Sequence, residues 1–467
     1  MVGHPYMSSS GRGRGQTPPD VIVESRWSGL GANSSMRRLI SPQQRLIALV
    51  LGPVGGAEGP RPPLASAAGC SGQRHGPGRC IVPARYIFPE REVNPLSYLS
   101  GVRVLDLSRI LAGPYAGSIL AELGADVIKV EGPDGDPARH LGPFHDGESL
   151  YFGSLNRGKR GIVLDLSTAG GREALYRLTA DADILLHNFH PKVAARLGVA
   201  AQVLHAHRPE LIVATVSSYG SDTAHAGTSA LDVVVQADAG IMSVTGRQGH
   251  PPVRAGVPVG DLMAGMWVAL GATAALAHRH RTGRGTHLEV PLFDATLATL
   301  TYIATAALAT GVEPGPVGSG HHSAVPYGAF PARDGWVALG LIGDRLFPAF
   351  CDALDLTELG SDARLNNGAA RLAHRARIER EVAARTVHMD RHELVERLRL
   401  AGVPAAPVHT VLEALRSPYV QQRGLVVPVS GHADYEVVRS PVPSARTAIS
   451  SAPTLGQHTA AIMGNGW

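Results

Sequence analysis

The feature that most constrains the fold is a regular alternation of short apolar runs and helical stretches between residues 101 and 220. The apolar runs are bounded by polar residues, and they read VRVLDLS, DVIKVE, GIVLDL, DILLHNF and LIVATVSSYG. The segments between them, such as GPYAGSILAELGAD, carry apolar residues at helical spacing. Strand–helix–strand repetition with short loops predicts a parallel sheet with helices on both faces. Ligands of such sheets bind beyond the carboxyl ends of the strands, which here read LSRILAGP, VEGPDGD and HNFHP.

Composition shifts divide the chain into four parts. Residues 1–96 are rich in Gly, Pro, Ser and Arg without sustained periodicity, so we expect disorder or an over-extended start of the reading frame. The large domain covers 97–310, and the Gly/Pro-rich stretch 311–328 opens a small domain with its linker over 311–426. Residues 427–467 return to the large domain. The predicted fold class is α/β, with a large Rossmann-like domain containing the parallel sheet and a smaller α+β domain.

Charge and cysteine content narrow the classes of partner. The formal net charge is +4, yet residues 1–96 hold eleven Arg and five acids, which leaves 32 basic and 34 acidic residues afterwards. A nearly neutral globular part argues against nucleic acid as a partner. Three cysteines, Cys70, Cys80 and Cys351, cannot form a disulfide framework, which favours a reducing, cytoplasmic location. The sequence shows no uninterrupted apolar run of the ~18–20 residues that a membrane span requires, so no membrane partner is expected.

Several cofactor and catalytic motifs are missing from the sequence. The first strand is not followed by GxGxxG, and GxxxxGK[ST], GxSxG and HExxH do not occur. His321 and His322 are adjacent in a predicted loop but lack a third ligand at a suitable spacing, which favours a solvated loop over a metal site. This pattern predicts a reaction on a bound substrate without a metal or tightly bound cofactor.

The stretch PVGDLMAGM places Asp261 at the start of a long, apolar helix predicted over 261–285. Asp is among the best N-cap residues, and a cap contributes ~1 kcal/mol. The same position suits a covalent catalyst, because helix-end amides stabilise negative charge and Gly260 would let a bulky ligand approach the backbone. The residues alone leave both interpretations open.

The chain resembles the family III CoA-transferases, the CaiB/BaiF family that includes formyl-CoA transferase and α-methylacyl-CoA racemase. The resemblance runs from about Leu99 to about Met463 and rests on separated blocks in the same order. These blocks read GVRVLDLSRILAGPYAGSILAELGADVIKVE, LNRGKRGIVLDL, ADILLHNFHPKVAARLGV, GDLMAGM, TGRGTHLEVPLFDA, AGVPAAPV and PTLGQHT.

The resemblance implies an acyl-CoA:carboxylate CoA-transferase whose catalytic aspartate is Asp261. The reaction would pass through a mixed anhydride and an aspartyl-CoA thioester, with backbone amides near Asp261 stabilising the oxyanion and the CoA thioester as substrate. The residues that match the family's CoA contacts are Ile110, Ala112, Leu164, Asn188, Phe189 and Arg196. The resemblance also implies a homodimer of two interlocked chains.

Departures from the family pattern leave two alternatives. Where this chain has Leu111, Gly132 and Leu231, formyl-CoA transferase has Gln, Arg and Tyr, respectively. The GGGG loop of that enzyme has no counterpart in this sequence. The racemase has His at Leu231 and Glu near Gly343, and racemisation needs two bases beside the α-proton. A 2-methylacyl-CoA racemase or isomerase therefore ranks second, and a non-catalytic acyl-CoA-binding protein third.

Two further charged residues near the predicted nucleophile each have two interpretations. Asp232 either positions the backbone beside Asp261 or is a satisfied turn carboxylate. Arg254 either attracts a second carboxylate of the substrate or is an ordinary surface residue. The sequence does not identify the acyl-CoA donor or the acid acceptor.

Overall fold

The computed structural model describes residues 97–431, 435–443 and 449–467. The disorder expected for residues 1–96 falls outside these described residues. The elements of the first part of the chain are, in order, β1 (Arg103–Asp106), α1 (Ala112–Glu122), β2 (Asp126–Glu131), β3 (Phe144–His145), β4 (Glu148–Ser149), α2 (Leu150–Asn156), β5 (Arg160–Val163), α3 (Ala169–Thr179), β6 (Ile184–His187), α4 (Pro191–Leu197), α5 (Ala201–His207), β7 (Ile212–Ser217), α6 (Asp232–Asp238), α7 (Ile241–Val244), α8 (Val259–Thr282), β8 (Thr286–Pro291), α9 (Leu292–Leu297) and α10 (Thr301–Thr310). The remaining elements are β9 (Tyr327–Ala332), β10 (Gly335–Gly340), α11 (Leu346–Ala353), α12 (Thr357–Gly360), α13 (Gly368–Ala373), α14 (Arg375–Thr386), α15 (Arg391–Leu400), β11 (Ala405–Pro407), α16 (Val411–Leu415), α17 (Pro418–Arg423), β12 (Val426–Ser430), β13 (Glu436–Val438), β14 (Ile449–Ser450) and α18 (Thr459–Asn465).

A parallel sheet lies at the centre of the first part. Within residues 97–431 its six strands follow the order β5-β2-β1-β6-β7-β8, and every neighbouring pair is parallel. This confirms the predicted mixed α/β class with a parallel sheet. The order runs one way from β1 to β5 and the other way from β6 to β8, so the strand order reverses between β1 and β6. Such a reversal opens a crevice at the carboxyl ends of the two strands.

Alternating side chains of the strands build a core on each face of this sheet. Val104 and Leu186 belong to the face packed under α1 and α8, whereas Leu105 and Leu185 belong to the face packed under α3 and α5. All four side chains are buried, as a strand covered on both faces requires. The apolar runs in the sequence therefore form the strands of the central sheet.

Helix α8 crosses the sheet next to α1. A Cβ on Gly265 would lie 2.6 Å from the carbonyl oxygen of Ala112, so only glycine permits this approach of the two backbones. The approach places the first turn of α8 beside the start of α1. Helix α8 begins at Val259 and ends at Thr282, whereas the sequence predicted a helix over 261–285.

A second antiparallel sheet follows the central one. Strands β9 and β10 form the hairpin that the sequence indicated, and β11 pairs with β10. Helices around this sheet enclose a separate core that includes Phe350, Ile378 and Leu394. The predicted domain boundaries stay a prediction, because the described residues, from 97 onward, group as one compact unit.

The C-terminal residues return to the central sheet. Between residues 426 and 450 the described residues form a small sheet of β13, β12 and β14, which the sequence did not indicate. Helix α18 then lies on the outer strand β5, where the Gly161 amide donates to His458 Nδ1 at 3.0 Å. The side chain of Thr459 accepts from the Val163 amide at 3.0 Å.

Two helical segments of the structure meet the length and composition criteria for a membrane span, whereas the sequence indicated no such segment. Helix α8 and the segment Leu292–Thr310 are long and apolar enough to cross a bilayer by length and composition, although we found no such run in the sequence. A helix buried inside a protein passes the same test, and α8 packs against α1, β7 and β8. The absence of a membrane partner therefore stays a prediction.

Candidate functional site

Two of the cavities at the carboxyl ends of the central strands contain all the predicted site residues. The smaller one, of about 210 Å³, is lined by Asp261 together with Ile110, Ala112, Asn188 and Phe189. These residues come from the loops after β1 and β6 and from the first turn of α8, so the reversal of strand order brings them together.

The larger cavity, of about 570 Å³, is lined by Leu164 and Arg196. Arg109 and Phe189 line both cavities. The structure therefore distributes every predicted site residue between two cavities that share a wall. Arg254 lines neither cavity, and its guanidinium donates to the carbonyl of Ala255 at 3.0 Å.

Asp261 occupies the third position of α8, not its N-cap. The cap residue is Pro258, and no side chain of the cap itself bonds the first turn. Instead Asp232 Oδ1, from the start of α6, accepts the hydrogen bond of the Gly260 amide at 2.9 Å. Among the described residues, none donates a hydrogen bond to the Asp261 carboxylate. The structure therefore excludes the N-cap interpretation of Asp261.

Burial makes the Asp261 carboxyl unusually basic. Burial and then the nearby Asp232 carboxylate raise the pKa of Asp261 to about 7. The phenol of Tyr151 is affected by the same carboxylates. Burial, followed by the negative charges of Asp261, Asp136 and Asp232, raises the pKa of Tyr151 to about 12. Asp261 is thus a weakly solvated carboxylate near neutral pH, which favours nucleophilic attack over a purely structural role.

Gly260 is required by packing and not by a ligand. A Cβ there would lie 2.7 Å from Thr296 Oγ1 and 3.0 Å from Val235 Cγ2. The missing side chain therefore faces the interior between α6 and α9. The expectation that Gly260 admits a bulky ligand is wrong, because the space it leaves is already occupied by neighbouring side chains.

The backbone amides around Asp261 are mostly engaged within the protein. The Val259 amide donates to the Val257 carbonyl, and the Leu262 amide donates to the Pro258 carbonyl. With the Gly260 amide bound to Asp232, most of the first turn of α8 cannot bind an oxyanion. Leu111 and Ala112, at the start of α1, line the same cavity, and no hydrogen bond from either backbone amide to a described residue is present.

Asn188 holds the loop after β1. Its Oδ1 accepts from the Arg109 amide at 2.8 Å, and its Nδ2 donates to the Arg109 carbonyl at 2.8 Å. The guanidinium of Arg109 in turn lies 5.1 Å from the centre of the Phe189 ring. Asn188 therefore shapes the wall of the cavity through Arg109, in addition to any contact with a ligand.

Comparison with known proteins identifies the class of this site. The profile of CoA-transferase family III matches residues 99–459. Succinate–glutarate CoA-transferase of Agrobacterium fabrum is 34% identical over 378 residues, which cover 78% of this chain and 94% of that protein. The chain belongs to CoA-transferase family III.

Further relatives of this family III CoA-transferase agree in sequence and fold. Succinyl-CoA:mesaconate CoA-transferase of Haloarcula hispanica is 33% identical over 78% of this chain and 95% of that protein. The crystal structure of a CaiB/BaiF family protein from Brucella suis superposes with a TM-score of 0.71 at 34% identity, covering 78% of this chain and 98% of that one. The chain is therefore an enzyme of acyl-CoA metabolism, as its resemblance implied.

Sequence reasoning missed several groups at the site. Arg109 sits within LSRILAGP, directly after a predicted strand, so its position was a usable signal. His190 also lines the smaller cavity, but its Nε2 contacts the Gly227 carbonyl at 2.8 Å and its Nδ1 accepts from the Lys192 amide at 3.1 Å. Tyr151 lies on α2, which the sequence did not indicate.

The adjacent histidines His321 and His322 have separate partners in the structure. Nε2 of His321 lies 3.2 Å from the Tyr302 hydroxyl, and Nε2 of His322 lies 3.0 Å from the Gly315 carbonyl. Among the described residues, no group of three or more potential ligands could hold a metal ion. The expectation of a reaction without metal or tightly bound cofactor stays a prediction.

Proposed function

We propose that this chain transfers CoA from an acyl-CoA donor to a free carboxylic acid through covalent intermediates on Asp261. The observation that carries the proposal is the Asp261 carboxylate, which lines a cavity, accepts no hydrogen bond from the described residues and has its pKa raised to about 7. Such a carboxylate is poorly hydrated, so it gives up less hydration free energy when it attacks a carbonyl carbon.

The proposed reaction consists of four balanced displacements. The Asp261 carboxylate attacks the thioester carbonyl and the C–S bond breaks. CoA leaves as a thiolate, and the acyl group remains on Asp261 as a mixed anhydride. The thiolate attacks the Asp261 carboxyl carbon and releases the donor acid, which leaves an aspartyl-CoA thioester. The acceptor carboxylate then displaces the thiolate to form a second anhydride, and the thiolate attacks the acceptor carbonyl. This yields the new acyl-CoA and regenerates Asp261, with no net uptake of water or protons.

The two cavities suit the two ends of an acyl-CoA. In this proposal, Arg196 beside the larger cavity binds the nucleotide phosphates, and Leu164 packs against the nucleotide. Phe189 separates that cavity from the smaller one, where the thioester would meet Asp261. The amides of Leu111 and Ala112 would stabilise the tetrahedral oxyanion, since these two residues line the smaller cavity and their amides have no acceptor among the described residues.

We further propose a dicarboxylic acid as one of the substrates. The relatives of this chain include enzymes named for succinate, glutarate and mesaconate. The smaller cavity offers Arg109 as a cation for the second carboxylate, whereas both ring nitrogens of His190 are engaged. Arg254 does not line this cavity and is not needed for the proposal.

The racemase alternative requires two bases, and the two positions where the racemase has histidine and glutamate do not supply them to the smaller cavity of this chain. Leu231, 70% exposed at the edge of the smaller cavity, stands where the racemase has histidine. Asp344 is adjacent to Gly343, near which the racemase has glutamate, but it forms an ion pair with Arg371 and lines a different cavity. Removal and return of an α-proton on opposite faces requires two placed bases, so CoA transfer fits these residues better.

We propose a homodimer in the cytoplasm as the working form. Within the described part of the chain, α10 has no buried residue, and Leu308 is 88% exposed. Trp267 and Leu270 on α8 are also exposed, at 45% and 58%. Apolar faces of this kind are typical of subunit interfaces, and Cys351 is a buried free thiol, as a reducing location permits. Light scattering should give twice the chain mass of 48.9 kDa.

The proposed function is tested by an exchange assay. Purified protein is incubated with succinyl-CoA and a panel of acids that includes glutarate, mesaconate and acetate, and new acyl-CoA is measured by mass spectrometry. We expect exchange with at least one dicarboxylic acid, and none with Asp261→Asn. Asp181→Asn, an exposed carboxylate at the other end of the sheet, is the control and should keep full activity. Deuterium uptake at the α-carbon of a 2-methylacyl-CoA without exchange would instead support the racemase.

A further inference from the structure

Arg109 and Ile110 of the loop Ser108–Ile110 line the smaller cavity, and side chains bind the backbone of this loop. The Ser108 amide donates to Asp106 Oδ1 at 3.0 Å, and the Ser108 carbonyl accepts from Lys129 Nζ. The amide and carbonyl of Arg109 bind the Asn188 side chain, as described above. The Ile110 amide donates to Asp136 Oδ1 at 3.2 Å. Apart from Asp106, the residues that bind this loop are distant from it in sequence.

Ile110 has a conformation that its side chain disfavours. Its φ is +69°, in the left-handed region that a β-branched residue adopts at a cost in free energy. Such a residue keeps this conformation only where its surroundings hold it. The residues that follow, Leu111 and Ala112, line the cavity of Asp261, so the turn at Ile110 sets the direction in which α1 begins.

The acceptor for the Ile110 amide belongs to a fully buried ion pair. Asp136 Oδ2 lies 2.8 Å from Lys129 Nζ, and both side chains are 0% exposed. Asp136 is itself fixed, because its amide donates to Glu131 Oε1 at 2.8 Å and its Oδ1 also accepts from the Ala138 amide at 2.9 Å. Each polar atom of the Asp136 carboxylate therefore has a partner.

The stability of the fold does not by itself explain this ion pair. Two buried charges lose their hydration, and an apolar pair of similar size often stabilises a protein as well or better. A buried pair does, however, fix the direction of the groups bonded to it. Here those groups are the Ser108 carbonyl, bound by Lys129, and the Ile110 amide, bound by Asp136.

We propose that Asp136, held by Lys129, is a positioning residue that keeps Ile110 in its left-handed conformation and so aims the start of α1 at Asp261. Asp136 does not line the smaller cavity and acts through Ile110. Its effect on turnover rests on the proposed function, whereas its effect on the loop does not.

The test compares two double variants that both remove the buried charges. Lys129→Met/Asp136→Asn keeps an oxygen that accepts from the Ile110 amide, whereas Lys129→Met/Asp136→Leu does not. We expect the asparagine variant to keep kcat within about threefold of the wild type and the leucine variant to lose about 10–100-fold in kcat, because small misplacements at a reacting centre have effects of this size. The KM for acyl-CoA should change less than kcat in the leucine variant, since neither residue lines the larger cavity that holds Arg196.

Hydrogen exchange of the peptide covering residues 108–112 provides a readout that does not depend on turnover. The leucine variant should exchange about tenfold faster there than the asparagine variant, at similar unfolding midpoints. Should the leucine variant not fold, Lys129→Met/Asp136→Ala gives the same comparison with a smaller side chain. Arg160→Gln, which breaks an ion pair with Asp126 at the other end of β5 and β2, is the control and should leave kcat and this exchange unchanged.

The outcomes separate this inference from the proposed function. Equal kcat and equal loop exchange in the two double variants would overturn the inference while CoA transfer by the wild type stands. A wild type that exchanges CoA with no acid would overturn the proposed function. If loop exchange in that protein still depends on the oxygen at position 136, the positioning role is supported.

Discussion

Asp232 Oδ1 accepts a hydrogen bond from the Gly260 amide at 2.9 Å, immediately before Asp261 in the chain. This bond joins the first turn of α6 to the first turn of α8 and brings two carboxylates close together. The second oxygen of Asp232, Oδ2, accepts a hydrogen bond from Gln236 Nε2 at 2.6 Å, and Gln236 Oε1 accepts one from the Ala255 amide at 2.8 Å. Asp232 thus positions the backbone that leads into Asp261, as one of its two interpretations from sequence indicated.

The first prediction concerns the pH dependence of the reaction. Asp261 must be ionised to attack, and burial together with Asp232 raises its pKa to about 7. The rate of the acylation step should therefore rise about tenfold per pH unit up to about pH 7 and then level off. Asp232→Asn should shift this rising part of the pH–rate profile to lower pH by about one unit. The reason is that removal of a negative charge makes the neighbouring Asp261 carboxyl more acidic. Single-turnover rates between pH 5 and 9 measure the shift.

The control for this prediction is Asp222→Asn, because the Asp222 carboxylate is exposed and lines neither cavity, although other residues of its loop line the smaller one. It should leave the rising part of the profile at the wild-type pH. If the rate rises over the same pH range in the wild type and in Asp232→Asn, the Asp232 charge does not contribute to the raised pKa of Asp261, which would contradict the prediction.

The second prediction concerns stability. The pKa of Asp261 is about 7 in the folded protein against an ordinary value of 3.8, so the folded state binds the proton more tightly than the unfolded state. The free energy of unfolding is then lowered progressively as pH rises from about 4 to about 7. Asp261→Asn removes this effect and should stabilise the protein by on the order of 1–4 kcal/mol at pH 8, and by much less at pH 4. Urea unfolding at the two pH values measures the difference.

The third prediction concerns Gly260. Gly260→Ala places a Cβ 2.7 Å from Thr296 Oγ1, so α6, α8 or α9 must shift. We expect a loss of about 1–3 kcal/mol in the free energy of unfolding and a lower kcat, because Asp261 moves with the helix. Gly256→Ala, at which a Cβ meets nothing within 4 Å, is the matched control and should change neither quantity.

The fourth prediction concerns CoA binding. Arg196 lines the larger cavity and is exposed, so its charge is available to phosphates. Arg196→Gln should raise the KM for acyl-CoA about tenfold with kcat nearly unchanged, as expected for a contact made equally in the ground and transition states. Lys192→Gln, on the same helix but lining neither cavity, should leave KM unchanged. An equal effect of the two variants would mean that the larger cavity does not hold the phosphates.

The sequence predicted the parallel sheet and the place of the site because both depend on local patterns. Runs such as VRVLDLS indicate strands on their own, and ligand sites follow from where parallel strands end. Ile110 and Asn188, which the resemblance to the family implied as CoA contacts, lie in two of the stretches that follow predicted strands, and both line one cavity.

The rest depends on contacts between distant parts of the chain. The start of α8 was placed two residues late because its first turn is bonded by Asp232, 28 residues upstream, and not by a cap of its own. Nothing in DVIKVE indicates that Lys129 is buried, since its partner Asp136 comes from the loop beyond the strand. The left-handed conformation of Ile110 and the packing around Gly260 are likewise set by tertiary contacts.

The most direct test of the account is to trap the acyl intermediate. The protein is incubated with an acyl-CoA donor and hydroxylamine, digested, and examined by mass spectrometry for a hydroxamate on the peptide that contains Asp261. The account predicts this modification at Asp261 in the presence of donor, its absence without donor, and none in Asp261→Asn. Full CoA exchange by Asp261→Ala, or a donor-dependent hydroxamate on a different residue, would contradict it.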